Sequence, residues 1–357
     1  RALKNSFDQD SFFHFIRNIL NHIDESKRQS MQVPDAFKEH IRSCQRFATY
    51  TAPEGELLDI LIVHLTEDYK VERTRTALRD FVSHKLKRGT NPKEAALVAF
   101  VPPDTGRWRF SYVRMQYESV RDPKTGTIKP EERLTPARRF SYLVGESESC
   151  HTAQTRFLGL LHRDDVNPSL ADIEEAFSVE AVTKEFFGKY AELFAGIHAG
   201  LEKLVGKDKM LSAEFKDKGV CPVDFSKKLM GQIVFLYFLQ KKGWLGVAKG
   251  KAWGSGPHDF LRRLAHGEYG TYDNFFNDML DPLFYDTLAT DRGGEAWCKV
   301  FKCRIPFLNG GLFEPPADYD WRKTYIALPN RLFTNTDYVE EGVTGTGVFD
   351  VFDRYNF

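Results

Sequence analysis

The chain is 357 residues long, 42% hydrophobic and 14% aromatic, enough to bury a substantial core and to suggest two domains. Fifty basic residues balance fifty acidic ones, so bulk charge singles out no polyanionic partner, and five widely spread cysteines argue against a disulfide framework. The longest apolar run, Ile233 to Leu239, falls far short of the roughly 18 residues of a membrane span, and no secretory signal is visible, so the expectation is a soluble, cytoplasmic protein with no membrane partner.

In chain order, Phe12, Phe13, Ile16, Ile19, Leu20 and Ile23 recur at helical spacing after the cap-type residues Asp10 and Ser11. A helix is therefore expected over 11–24, with a second over 35–47. Leu57 to Leu65 is a nearly continuous run of branched apolar residues, the pattern of a strand buried on both faces, interrupted by Asp59 and His64. Residues 71–88, closed by Gly89, read as a basic helix, and 70–88 carries a net charge of +5. Ala95 to Val101 stops at Pro102-Pro103 and reads as another buried strand. Strands are expected at Trp108 to Glu118 and Arg139 to Val144, joined by a polar loop at 119–137 whose Asp122-Pro-Lys-Thr-Gly126 is a turn. A helix over about 152–162 closes this part. Strands alternating with helices imply an α/β domain with a mixed sheet over residues 1–165.

From 166 to 357 helical periodicity takes over, which predicts an α-helical connector domain. Residues 164–186 carry a net charge of −6. The apolar segment Phe225 to Gln240, with Asp224 as cap and Gly243 as terminator, is expected to be the central helix of a bundle. Helices near 257–265 and 273–289 should surround it. Cys298 and Cys303 lack the second Cys or His pair that would complete a zinc tetrahedron, so they read as structural. No internal repeat or low-complexity segment is apparent.

Several stretches carry a resemblance. Ile305-Pro-Phe-Leu-Asn-Gly-Gly-Leu-Phe-Glu314, Val348-Phe-Asp-Val-Phe-Asp-Arg-Tyr-Asn-Phe357, Phe225 to Trp244, Val179 to Phe187 and Pro136 to Gly145 are together similar to part of type IIG-like restriction–modification proteins. They resemble the region that precedes the adenine-specific DNA methyltransferase in those phage-defence enzymes. A methyltransferase of that family has a Gly-containing turn for S-adenosylmethionine and an Asn-Pro-Pro-Tyr-like motif for the target adenine, and neither is present. Gly310-Gly311 reads as a turn, and Pro315-Pro316 has no Asn or Asp before it and no Tyr after it. The start at Arg1 and the end in an aromatic run fit this expectation of the front part of a longer chain. S-adenosylmethionine is then a cofactor of that longer chain and not of this part.

The resemblance implies a nuclease-like first domain of the PD-(D/E)xK type, in which carboxylates hold Mg²⁺ against the scissile phosphate. Asp59 is the candidate metal ligand and catalytic acid, with Glu56 beside it. The second half of that pattern is missing from Ala95 to Val101, and the nearest substitutes, Glu118 and Glu146, have no lysine two residues later. An Asp in a buried strand is also often a hydrogen-bonded structural carboxylate. Arg73, Arg75, Arg79 and Lys85 on the basic helix, with Arg138 and Arg139, are the candidate contacts to double-stranded DNA, since guanidinium groups fork onto phosphate oxygens. The competing reading of such a run is a solvated helix face.

The further partners implied are the chain's own C-terminal methyltransferase and target-recognition domains. Three functions are therefore carried forward: a DNA-directed enzyme part with Mg²⁺-dependent cleavage, a non-catalytic DNA clamp or scaffold, and a protein-interaction module that docks through the acidic segment 164–186.

Overall fold

The computed structural model describes residues 2–66, 75–87, 92–104, 106–121, 128–146, 148–161, 166–308, 310–340 and 343–355, excluding the side chains of 75, 117–136 and 179–181. The chain divides into two compact units, Arg1–Thr183 and Lys184–Tyr355.

The first unit is built on a six-stranded sheet in simple sequential order: β1 (Gln29–Met31), β2 (Ile41–Thr51), β3 (Leu57–Leu65), β4 (Ala95–Val101), β5 (Arg107–Arg121) and β6 (Ile128–Gly145). Neighbouring strands are antiparallel except β3 and β4, which are parallel. A parallel pair needs a crossover, and helix α2 (Arg75–Lys87) lies between them in sequence. Its apolar positions Leu78, Phe81, Val82 and Leu86 fall at helical spacing and are fully buried, packing with Leu61, Val63, Val98 and Phe100 on one face of the sheet. Burial of each such side chain contributes roughly 1.5–3 kcal/mol.

The opposite face carries Leu58, Ile60, Ile62, Leu97 and Ala99, covered by α1 (Gln9–Leu20), α3 (His151–Leu161) and α4 (Leu170–Ala176). Because both faces are covered, β3 and β4 read as unbroken apolar runs rather than as alternation. The two expected strands at 57–65 and 95–101 are found over those same residues. Helix α1 is capped by Asp8, whose side chain accepts from the Ser11 amide at 2.8 Å, so it starts two residues earlier than expected.

The helix expected over 35–47 does not form. Residues Asp35–Phe37 make a single 3₁₀ turn and Ile41–Thr51 is strand β2. The reason lies in two register shifts along the β2–β3 pairing, between Ile41 and Ser43 and between Arg46 and Ala48. Bulges of this kind break the period of two. The buried residues Ile41, Cys44 and Phe47 are consequently spaced by three, as on a helix.

The second unit contains α5 (Val179–Lys207, whose first turn precedes the division), α6 (Lys209–Lys218), α7 (Pro222–Lys241), α8 (Phe260–Ala265) and α9 (Val348–Phe352), with two short hairpins, β7–β8 (Trp297–Cys298, Cys303–Arg304) and β9–β10 (Tyr338–Glu340, Val343–Thr344). Helix α7 begins before its expected cap: Cys221 is the N-cap, Pro222 occupies the first turn, and Asp224 sits inside that turn near the positive helix end. It buries Phe225, Leu229, Met230, Ile233, Leu236 and Tyr237 at the centre of the core but leaves Phe235 and Phe238 exposed.

The helix expected at 273–289 is present as two π-helical segments, Phe276–Leu280 and Pro282–Leu288. Pro282 has no amide hydrogen to donate, which accounts for the interrupted ladder at this point. Asp281 lies between the segments, 1% exposed, and its Oδ1 has no hydrogen-bond partner among the described residues. Burial holds its carboxyl well above the usual carboxylate range.

A polar network ties α8 to α9. Arg262 donates to Asp350 at 2.9 Å and to Asp353 at 2.7 Å, while Asp353 also accepts from the Tyr237 hydroxyl at 2.6 Å. Among the described residues no helix is long and apolar enough to cross a membrane.

Candidate nucleic-acid interface

Strands β5 and β6 share a four-residue text, Arg-Phe-Ser-Tyr, at Arg109–Tyr112 and again at Arg139–Tyr142. The sequence reading found no repeat, but the antiparallel register brings these two tetrads together around the pair Ser111 and Ser141, whose hydroxyls lie 2.7 Å apart. Strand alternation then sorts the side chains. Phe110, Tyr112, Phe140 and Tyr142 join the core under α1, α3 and α4, where Tyr142 donates to the Ala176 carbonyl and Tyr112 to that of Leu170. Arg109 and Arg139 point with the serines to the other face, the side on which α2 lies. They stand four residues apart along the ladder, since Arg139 pairs with Val113, which is about 14 Å at ~3.4 Å per residue.

Helix α2 packs across this face against β4, β5 and β6, and a cleft of about 430 Å³ is lined by residues of α2, β5 and β6. Its lining includes the arginines Arg79 from α2, Arg109 from β5 and Arg139 from β6, together with the hydroxyls of Thr76 and Ser141. Arg138 also borders the cleft, but it pairs with Arg114, and alternation directs its side chain to the opposite face. Among the described residues no carboxylate lines the cleft. Arg79 also contacts its neighbour Asp80 at 2.8 Å, and the Arg139 guanidinium sits 5.3 Å from the centre of the Phe100 ring. The stacking limits the freedom of Arg139, so less entropy is lost when it meets a ligand. Planar guanidinium groups converging on one concavity suit an anion with several oxygens, above all a phosphate.

Two of the six arginine and lysine positions singled out from sequence thus converge, Arg79 and Arg139, while Arg138 borders the cleft with its side chain directed to the other face. Lys85 does not join them. It is 4% exposed, its amine donates to the Gln32 carbonyl and it lies 5.4 Å from the centre of the Phe81 ring. Arg73 lies outside the described residues, as does the side chain of Arg75. Arg109 was missed, and the shared tetrad was the signal that would have found it.

The candidate carboxylates lie apart. Asp59 is fully buried on the α2 face, where both Nε and Nη2 of Arg46 donate to its Oδ2, at 2.9 and 2.8 Å, and Thr49 donates to its Oδ1 at 3.3 Å. Glu56 pairs with Arg114 at 3.3 Å, and Arg114 also holds Glu174 of α4 at 3.0 Å, so this cluster belongs to the opposite face. Side chains three apart in extended chain point to opposite sides, which is why the spacing of Glu56 and Asp59 does not bring them together. Glu94, just before β4, accepts from the Leu57 amide at 2.6 Å. Glu146 accepts from the Ser6 hydroxyl at 2.7 Å, and the side chain of Glu118 lies outside the described residues. Among the described residues no group of three or more His, Cys, Asp or Glu side chains is arranged to hold a metal ion.

In the acidic segment, Asp172 completes a capping box with Ser169, Glu174 binds Arg114, and Glu175 binds Arg156 at 2.7 Å. Glu185, in the second unit, accepts from the Tyr355 hydroxyl at 2.7 Å. These four carboxylates serve internal contacts.

No family model, no curated protein and no solved structure matches this chain.

Proposed function

We propose that the first unit binds double-stranded DNA by its phosphate backbone and acts as a clamp, in the setting that the resemblance to restriction–modification proteins implies. On this reading, recognition of sequence and methyl transfer from S-adenosylmethionine belong to other domains of a longer polypeptide, and this chain holds the duplex. The observation that carries the proposal is the cleft lined by Arg79, Arg109 and Arg139, with no carboxylate among its described lining residues. The clamp is favoured over Mg²⁺-dependent cleavage because both oxygens of Asp59 are engaged by Arg46 and Thr49.

The test is binding of the full chain to a duplex of about 25 base pairs, followed by anisotropy across a salt series. Each phosphate contact contributes about 0.9 to the slope of log affinity against log salt, so Arg109→Ala with Arg139→Ala flattens it by up to roughly 1.8. Their separation along the ladder lets them meet different phosphates, which is why the two losses should add. A slope unchanged in the double variant refutes the cleft as the DNA site.

A further inference from the structure

The second unit carries a surface that the DNA clamp does not use. The loop 241–256 and the hairpin 297–304 contain seven cations and no carboxylate, interleaved with Trp244, Trp253 and Trp297. The two segments are joined. Val247 and Arg304 exchange backbone hydrogen bonds at 3.1 and 2.7 Å, which adds Val247 to the β7–β8 hairpin as a third strand position. Within the loop, the Gly254 and Gly256 amides both donate to the Gly243 carbonyl, at 3.1 and 2.9 Å, so the backbone beside Trp253 is held against the backbone beside Trp244. Gly243 has φ +66°, and a Cβ there would lie 2.4 Å from the Gly254 carbonyl oxygen, so this close approach requires glycine.

The aromatic rings are presented outward. Trp244 is 42% and Trp253 40% exposed, although large apolar side chains ordinarily bury. Trp253 is also fixed in orientation. The Arg304 guanidinium lies 4.4 Å from its ring centroid and is itself anchored by donating to the carbonyls of Glu295 and Lys251, at 2.8 and 2.5 Å. A ring held this way loses little freedom on stacking with a ligand. Lys249, Lys251, Lys299 and Lys302 are exposed on the same two segments, and no ion pair among the described residues involves them.

We propose that this surface binds an unpaired stretch of nucleic acid, with bases stacked on Trp244 and Trp253 and phosphates held by Lys249, Lys251, Lys299 and Lys302. Exposed aromatic platforms set among cations are the chemistry that single strands need, because every base has a face to stack and duplex bases do not offer it. Trp244 and Trp253 are separated in sequence by Lys249 and Lys251 rather than joined in one apolar run, which favours a strand over a lipid surface. The inference rests on the reading of this chain as a DNA-binding protein and extends it to strands whose bases are open.

The full chain is titrated with a fluorescent oligo-dT of about 20 nucleotides and, separately, with the duplex. Trp244→Ala with Trp253→Ala should weaken oligo-dT binding at least roughly tenfold, since stacking contributes about 1–3 kcal/mol per base, and leave duplex affinity within about twofold. Changing Lys249, Lys251, Lys299 and Lys302 to Gln, all at exposed positions, should flatten the oligo-dT salt slope by up to about 2.8, at ~0.7 per contact with a single strand. Oligo-dT affinity and slope unchanged in both variants overturn the proposal. So does a loss of binding to phosphatidylserine vesicles with oligo-dT binding intact, which would make this a membrane-contacting surface. Failure of the duplex clamp reads out elsewhere, in a duplex slope insensitive to Arg109 and Arg139.

Discussion

The Asp59–Arg46 pair decides between a structural and a metal-binding carboxylate, and its energetics can be worked out in advance. Asp59 is 0% exposed and the Arg46 side chain 14%, so removing one partner strands a charge almost completely cut off from water. Breaking a buried pair in this way costs about 3–5 kcal/mol, and the partial exposure of Arg46 places the expectation near the lower figure, about 3 kcal/mol. In a unit of this size a loss of 1 kcal/mol lowers Tm by about 2–4 °C, so Arg46→Met or Asp59→Asn should each lower the transition of the first unit by roughly 6–12 °C. The double change Asp59→Leu with Arg46→Met replaces the pair by apolar groups and should recover most of that loss. About 1 kcal/mol should remain missing, because Thr49 loses its acceptor. Calorimetry on the full chain, with and without Mg²⁺, reads both terms. Single variants melting within about 1 °C of the parent would refute the structural role, given the scale above. A Mg²⁺-dependent rise in Tm that disappears in Asp59→Asn would identify Asp59 as a metal ligand and return cleavage to first place.

Two predictions concern the second unit. The Asp281 carboxyl is held above its ordinary value of 3.8 by burial, so the stability it contributes is fully present below that value and is lost as pH rises through the raised one. Asp281→Asn, which has no charge to acquire, should therefore melt higher than the parent near neutral pH, by a margin that shrinks as pH falls towards 4; a margin independent of pH would refute the burial argument. Arg262→Met leaves Asp350, with a side chain 5% exposed, supported among the described residues by the Thr334 hydroxyl and the amides of Asn335 and Gly347. Because Arg262 is itself 24% exposed, the loss should be about 2–3 kcal/mol, below that of a fully buried pair, measured as a lower urea midpoint. A midpoint equal to that of the parent would show that this network does not hold α8 to α9.

What was legible in the sequence was whatever a few neighbouring residues decide. The branched apolar runs at 57–65 and 95–101 are strands because both faces are covered, the helix between them follows from the helical spacing of its buried Leu78, Phe81, Val82 and Leu86, and α7 follows from its own apolar content. The residues of β2 were misread because bulges at two points of its pairing with β3 imposed a helical spacing on a strand, and bulges depend on the partner strand. The candidate site was legible in part for the same reason. Arg79 and Arg139 stood out within local clusters of charge, whereas Arg109 acquired its place only when β5 paired with β6 and set its side chain on the face of Arg139. Asp59 likewise had no visible partner until Arg46 was brought across from β2. Local periodicity is set by steric preferences and burial within one turn or one strand, so it is written in short windows. Convergence of charged groups from 79, 109 and 139 depends on strand register and on which face a helix covers, and those are settled only when distant segments close together and bury their common core.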